Sequence, residues 1–226
     1  MDENLNDKEQ VELVKSWLRE NGPWLLAGVL IGAAALWGYN AWQARKEAQA
    51  VQASDTYEQL VQALERKDRT RGNTLADELR RDFASSPYAD QADLALARAA
   101  VEANELPKAA ERLTHVMIES KDPQLRLLAR VRLARVQLAQ NNVDTALTTL
   151  AAVEPGAFAP QFAEVRGDAL LSKGEKSAAL AEYLQAKGAK LAGVIDTNPL
   201  DLKIADLRAQ GVSEPKAATP TAAKPR

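Results

Sequence analysis

The sequence predicts an all-α protein, one N-terminal transmembrane helix followed by a solenoid of stacked helix pairs. Three observations carry this reading. No charged residue occurs between Glu20 and Arg45. Beyond residue 45, strand patterning is absent and alanine, leucine, glutamate, arginine and glutamine dominate. An alanine then recurs at Ala76, Ala109, Ala146 and Ala179, at intervals of 33, 37 and 33 residues.

Residues 1–22 form a short amphipathic leader, with Val11, Val14 and Leu18 on one helical face and Leu13 and Trp17 beside it. Gly22-Pro23 is expected to stop that helix. A helix lying in the bilayer interface and a solvated lead-in both fit this pattern.

Residues 23–44 are the span. The uncharged run WLLAGVLIGAAALWGYNAW at 24–42 reaches about 29 Å as a helix, against roughly 30 Å of hydrocarbon. Trp24 at one end and Trp37, Tyr39 and Trp42 at the other fall where amphipathic rings favour the headgroup level. The leader carries six acids and three bases, the opposite of a cleavable signal, so the anchor is expected to stay in the mature protein. Orientation is nearly undetermined by charge, because Lys8, Lys15 and Arg19 on one side exceed Arg45 and Lys46 on the other by a single residue. Gly28 and Gly32 make a G-x-x-x-G face, and Ala34 with Gly38 repeats the small-residue spacing. Such faces let membrane helices approach closely, although glycine is also simply common in spans.

Residues 45–187 read as the repeat domain. Apolar residues recur at three and four, as in Tyr57, Leu60, Val61 and Leu64, and the pattern breaks at Arg71-Gly72-Asn73, Asn104-Glu105, Asn141-Asn142 and Lys173-Gly174-Glu175. A period near 34 built from helix, turn and helix is a tetratricopeptide-like signature. Its physical basis is a small residue where the second helix of each pair crosses the first, and a bulkier one a turn later to fill the groove. Leu113, Leu150 and Tyr183 hold that later position, while Arg80 stands there in a degenerate first unit. Ser86-Pro87 and Asp122-Pro123 are expected helix starts, and Pro155-Gly156 separates the third pair from the fourth.

Residues 188–211 form a C-terminal capping segment. Asn198-Pro199 suits the start of a helix that turns Leu200, Ile204 and Leu207 inward until Gly211, although Leu200, Leu202 and Ile204 also alternate as a strand would. Its expected task is to cover the apolar end of the array. Residues 212–226, rich in Ala, Pro, Lys and Thr, are expected to be disordered.

Composition excludes several functions. Without residues 1–44, the 29 basic and 31 acidic residues of the chain become 26 and 25, a near balance that attracts no polyanion, so no nucleic-acid partner is expected. There is no cysteine, which removes disulfides and thiolate chemistry. His115 is the only histidine and sits mid-helix without an evident partner, so it reads as a packed or solvated residue. No phosphate-binding glycine loop occurs, and the glycines read as turn or membrane residues. No catalytic, cofactor or metal site is expected, and the chain does not read as an enzyme.

What remains is a binding surface. In an array of helix pairs the first helices line the concave face, which places Gln91, Leu94, Arg98 and Val101 of the second unit there. The third supplies Leu128, Val131, Arg135 and Leu138, and the fourth Gln161, Glu164, Asp168 and Leu171. Aliphatics beside Arg98 and Arg135 suit extended polypeptide, with guanidinium groups on carboxylates. A face satisfied by its own ion pairs, or covered by the C-terminal segment, fits the same residues.

The leader EQVELVKSWLRENG, running into an apolar span and then an alanine-rich array of this length, resembles the YfgM family of bacterial inner-membrane proteins. The resemblance covers the chain to about residue 210 and is most specific from Glu9 through the anchor. It implies a cytoplasmic N-terminus, a periplasmic helical domain and an ancillary place beside the SecYEG translocon with the membrane-anchored chaperone PpiD, helping exported unfolded polypeptides reach periplasmic chaperones. It brings no catalytic residues. A cell-envelope scaffold for one folded partner and a cytoplasm-facing docking module are the alternatives.

Overall fold

A computed structural model describes residues 3–151, 153–188 and 197–214. Among them the regular structure is helical, with no strand. The helices are α1 (Glu3–Glu65), α2 (Arg69–Asp82), α3 (Pro87–Glu102), α4 (Leu106–Glu119), α5 (Pro123–Ala139), α6 (Val143–Leu150), α7 (Ala159–Ser172), α8 (Lys176–Gly188) and α9 (Thr197–Ala209), with a 3-10 turn at Gly156–Phe158 before α7. The chain divides into two compact units, the first ending at Asp55 and the second beginning at Thr56.

The first unit is helix α1 up to Asp55. It corrects the expected stop at Gly22-Pro23, since the helix continues through Pro23. Proline removes one N–H and so frees the carbonyl of Arg19, four residues earlier. Arg19 is exposed, where water can satisfy that carbonyl at the edge of the apolar run. Asn21 adds a local tie, its Nδ2 donating to the Trp17 carbonyl at 3.0 Å. This is the one helix among the described residues long and apolar enough to cross a membrane, and its apolar window has no burial against protein. Trp24 and Trp37 are 81% and 77% exposed, and Tyr39 and Trp42 are also open. Lys46 Nζ lies 3.9 Å from the Trp42 ring centroid, a cation laid over an aromatic of the kind that favours a membrane edge. Gly28, Gly32 and Gly38 have nothing within 4 Å of an added Cβ, and Ala34 is exposed.

In the second unit the end of α1 and α2, α3 and α4, α5 and α6, and α7 and α8 form successive helix pairs. Their four turns are built alike. A residue at positive φ follows each first helix, namely Lys67, Asn104, Asn141 and Gly174. The next N–H then reaches back five residues, as in Asp68 N to Ala63 O at 2.9 Å, Glu105 N to Ala100 O at 2.8 Å, Asn142 N to Gln137 O at 2.9 Å and Glu175 N to Leu170 O at 2.9 Å. This is the left-handed helix-terminating motif, which satisfies carbonyls that the helix end leaves free. A fifth copy follows α9, where Gly211 has φ +77° and Val212 N reaches Leu207 O at 3.1 Å. Helix α9 therefore ends as the first helix of a fifth pair would.

The first of these turns corrects the sequence reading. Arg71-Gly72-Asn73 does not break the pattern but lies inside α2, and the turn falls at 66–68. A Cβ on Gly72 would stand 2.9 Å from Leu64 Cδ2, so glycine is needed there for close approach of α1 and α2. Gly167, inside α7, is likewise neither a turn nor a membrane residue. The expected starts at Ser86 and Asp122 are made, with Ser86 Oγ accepting from Tyr88 N at 3.3 Å and Asp122 Oδ1 from Gln124 N at 2.7 Å.

Each periodic alanine, Ala76, Ala109, Ala146 and Ala179, is fully buried. Leu113, Leu150 and Tyr183 follow them into the core, while Arg80 remains one-third exposed and lies 3.8 Å from the buried Asp93. Leu200, Ile204 and Leu207 of α9 close the last core cluster against Leu180, Tyr183 and Ala186. The Thr197–Ala209 part of the expected capping segment is thus a helix and not a strand. The expected disorder of the tail concerns mostly residues 215–226, which lie outside the described residues.

Candidate peptide groove

The first helices of the first three pairs frame an open concave surface made of two adjoining depressions. The larger, about 630 Å³, is walled by Tyr57, Val61 and Leu64 of α1, Gln91, Leu94 and Arg98 of α3, and Leu125, Leu128 and Arg132 of α5. The smaller, about 430 Å³, lies between α3, α4 and α5, with Val101, Leu106 and Leu113 as apolar lining and Arg98, Arg132 and Arg135 among its polar lining. Leu94, Arg98 and Arg132 line both. Both volumes fall within the range of ordinary ligand sites.

Six residues named from the sequence line these depressions: Gln91, Leu94, Arg98, Val101, Leu128 and Arg135. Val131 does not, being 2% exposed in the core with Phe162 and Val165, and Leu138 packs against that same core. The reason is the position of α5. Ala129, Leu133 and Val136 pack toward α3 and α4, while Val131 and Ala134 pack toward α6 and α7. A helix buried on two flanks has no single apolar face to read.

The fourth unit is closed by ion pairs. Lys203 of α9 donates to Glu164 Oε1 at 3.1 Å and to Asp168 Oδ1 at 2.7 Å, Tyr183 Oη donates to that same Asp168 oxygen at 2.7 Å, and Arg135 reaches Glu164 Oε2 at 3.2 Å. Glu164 and Asp168, expected to face a ligand, are engaged by the protein itself. The groove is therefore open over α1, α3 and α5, and covered by α9 at α7.

This closure is expected to weaken in alkali. Burial first, then the hydrogen bond and charge of Asp168, push the Tyr183 phenol far above its ordinary value. Burial alone would lower the Lys203 ammonium, but hydrogen bonds and charges from Asp168 and Glu164 outweigh it and raise that group. Both groups hold their protons more tightly folded than unfolded. Their contribution is full below the unfolded values of 10.0 and 10.5 and is lost as pH rises beyond them. Thermal melting of the full-length protein in micelles is expected to fall more steeply above pH 10 for the natural chain than for Tyr183→Phe. Parallel alkaline slopes would contradict this.

Sequence reasoning missed Arg132. It has no ion pair or side-chain hydrogen bond among the described residues, and partial desolvation, then the charges of Arg135 and Arg98, hold its guanidinium below the usual arginine value. The helix-pair count pointed to α5, but not to which of its arginines faced the groove. His115 Nδ1 lies 3.0 Å from Oδ2 of the buried Asp93, without a hydrogen bond between them.

Stacked antiparallel helix pairs with alanine crossings and an open concave face define a helical-repeat protein of the tetratricopeptide kind. The family described as tetratricopeptide repeat-like domain matches residues 15–209. A relative named ancillary SecYEG translocon subunit, from Escherichia coli (strain K12), is 36% identical over 177 residues, covering 77% of this chain and 84% of its own length. Proteins of the same name from Aggregatibacter actinomycetemcomitans and Neisseria gonorrhoeae (strain ATCC 700825 / FA 1090) are 27% and 28% identical, covering 90% and 81% of this chain and 98% and 88% of theirs. The chain belongs to this family of tetratricopeptide repeat-like proteins, the YfgM family. No solved structure matches it.

Proposed function

We propose that this protein is a membrane-anchored adaptor with chaperone-like character at the Sec translocon, holding exported polypeptides briefly before periplasmic chaperones receive them. The observation that carries this reading is the open concave face over α1, α3 and α5, where half-buried aliphatics and the exposed Val101 stand beside a guanidinium with no ion-pair partner among the described residues. Such a surface suits extended chain, which offers apolar side chains and carboxylates in turn.

In this reading α1 crosses the inner membrane once, with the N-terminus cytoplasmic and the repeat domain periplasmic. Trp24, Trp37, Tyr39 and Trp42 set its depth, and the small-residue positions Gly28, Gly32, Ala34 and Gly38 offer close approach to membrane helices of SecYEG or of the chaperone PpiD. The names carried by the relatives support the association with the translocon. Tethering raises the effective concentration of the groove at the channel, so weak and sequence-tolerant contacts suffice. The relatives are named as subunits and not as enzymes, in keeping with a surface that works by holding.

A photo-crosslinking residue placed at Leu128 in the groove, or at Ile118, which is 60% exposed and lines neither depression, tests this in intact membranes. With an exported polypeptide arrested in the channel, adducts are expected from position 128 and not from 118. Equal labelling from both, or none from 128, would defeat the groove.

A further inference from the structure

One of the three arginines that line the groove has no ion-pair partner among the described residues. Arg98 Nε donates to Glu102 Oε1 at 2.8 Å, and Arg135 is taken by Glu164. Two of the three groove arginines thus have a carboxylate partner, and the one without is Arg132. Arg132 and Arg135 stand three apart on α5, which puts them on one helix face with their Cβ atoms about 5–6 Å apart. Burial and the charges of its two arginine neighbours already disfavour the Arg132 cation, so an incoming carboxylate relieves a repulsion as well as forming a charge-assisted pair.

That cation stands where the two depressions meet. Arg98 and Arg132 line both depressions and so mark the divide between them, with apolar walls on either side, Val61 and Leu64 on one, Val101 and Leu113 on the other. In extended chain, side chains at i, i+2 and i+4 share a face. We propose that the groove selects extended polypeptide segments of the pattern apolar-x-acidic-x-apolar, the central carboxylate accepting hydrogen bonds from Arg132 while the flanking side chains enter the two depressions. Glu65 and Glu102 on the wall of the larger depression disfavour a second acid there. Two separate recesses on either side of one cation fit spaced side chains better than the continuous acyl chains of an anionic lipid. This inference rests on the groove reading above and names the class of segment the groove takes.

The test is fluorescence anisotropy with the full-length protein in uncharged micelles and three labelled peptides. One carries Asp between two leucines at the stated spacing, one has Asn in its place, and one has the same Asp moved outside the leucines. The first is expected to bind about tenfold tighter than the other two. Arg132→Gln is expected to bring it down to their level, and Arg132→Lys to keep most of the preference. Because Arg132 has no described partner, its replacement is expected to leave the melting curve in place. Equal binding of all three peptides would overturn the charge rule and leave the groove standing. Binding of none would overturn both. Binding of phosphatidylglycerol vesicles that depends on Arg132, without peptide binding, would assign the site to lipid and overturn the proposal.

Discussion

Tyr183→Ala is expected to lower stability by about 3–5 kcal/mol, the range for truncating a large buried aromatic. On a chain of this size that corresponds to a fall of roughly 6–20 °C in melting temperature. Tyr183 is 0% exposed, packs with Leu180, Ala186, Leu200, Ile204 and Leu207, and donates through its hydroxyl to Asp168. Alanine is the better helix former, so a loss of this size reports packing and not helix propensity. The close neighbour is Gly167, where an added Cβ would overlap the Tyr183 ring, with Cδ1 at 2.6 Å. Gly167→Ala is therefore expected to cost about 1–3 kcal/mol in the natural chain. In the Tyr183→Ala background the obstacle is gone, and the same change is expected to gain about 0.5–1 kcal/mol from helix propensity. A double-mutant cycle read by thermal or urea unfolding checks that reversal of sign. Additive effects would mean that the ring and the glycine do not constrain each other.

That pair also shows what could be read from sequence and what could not. The alanine crossings are local chemistry repeated at a fixed period, so Ala76, Ala109, Ala146 and Ala179 were legible, as was the uncharged run of α1. The first turn was not. Lys67 takes positive φ where asparagine or glycine stands in the other pairs, and a lysine carries no compositional sign of that conformation. Gly72 was then the nearest glycine and drew the turn to itself, although its role is to let α1 and α2 approach. Gly167 lacks a local signal altogether, because its reason lies sixteen residues away on α8.

For the groove, the choice of helices followed from topology and the choice of faces did not. Helix α5 presents Arg126, Arg130, Arg132 and Arg135 around its circumference. Arg130 turns instead to the Thr149 carbonyl at 2.7 Å, while Arg132 and Arg135 reach the concave side. Only the packing of α5 between α4 and α7 decides among them. Closure of the fourth unit was open for a similar reason, since Lys203 and Glu164 are 39 residues apart. Their pairing depends on α9 docking as the first helix of a pair whose second member does not follow within the described residues.

Asp93→Ala is expected to cost about 3–5 kcal/mol, because it leaves the mostly buried Arg112 guanidinium with no counter-charge. Asp93 is 1% exposed on α3 and receives Arg112 Nη1 of α4 at 2.9 Å, with Arg80 of α2 at 3.8 Å and His115 Nδ1 at 3.0 Å. Arg112 is itself mostly buried and also donates to Asn73 Oδ1 at 2.9 Å, so one carboxylate ties the second pair of helices to the first. Asp93→Asn keeps the size but not the charge, and about 1–3 kcal/mol is expected, the cost of leaving a buried hydrogen-bonding group poorly matched. Ser120→Ala, which removes a neutral donor to Asp90 in the same α3–α4 pair, is the control and is expected to cost about 1 kcal/mol. Urea unfolding of the three variants gives the order. If Asp93→Ala fell no lower than Ser120→Ala, the charge would be incidental and α2 would be held by its apolar face alone. If the expected order holds, the same variant should loosen α2 against α3. Because α1 and α3 form opposite walls of the larger depression, peptide binding is then expected to weaken together with stability, although Asp93 lies outside the groove.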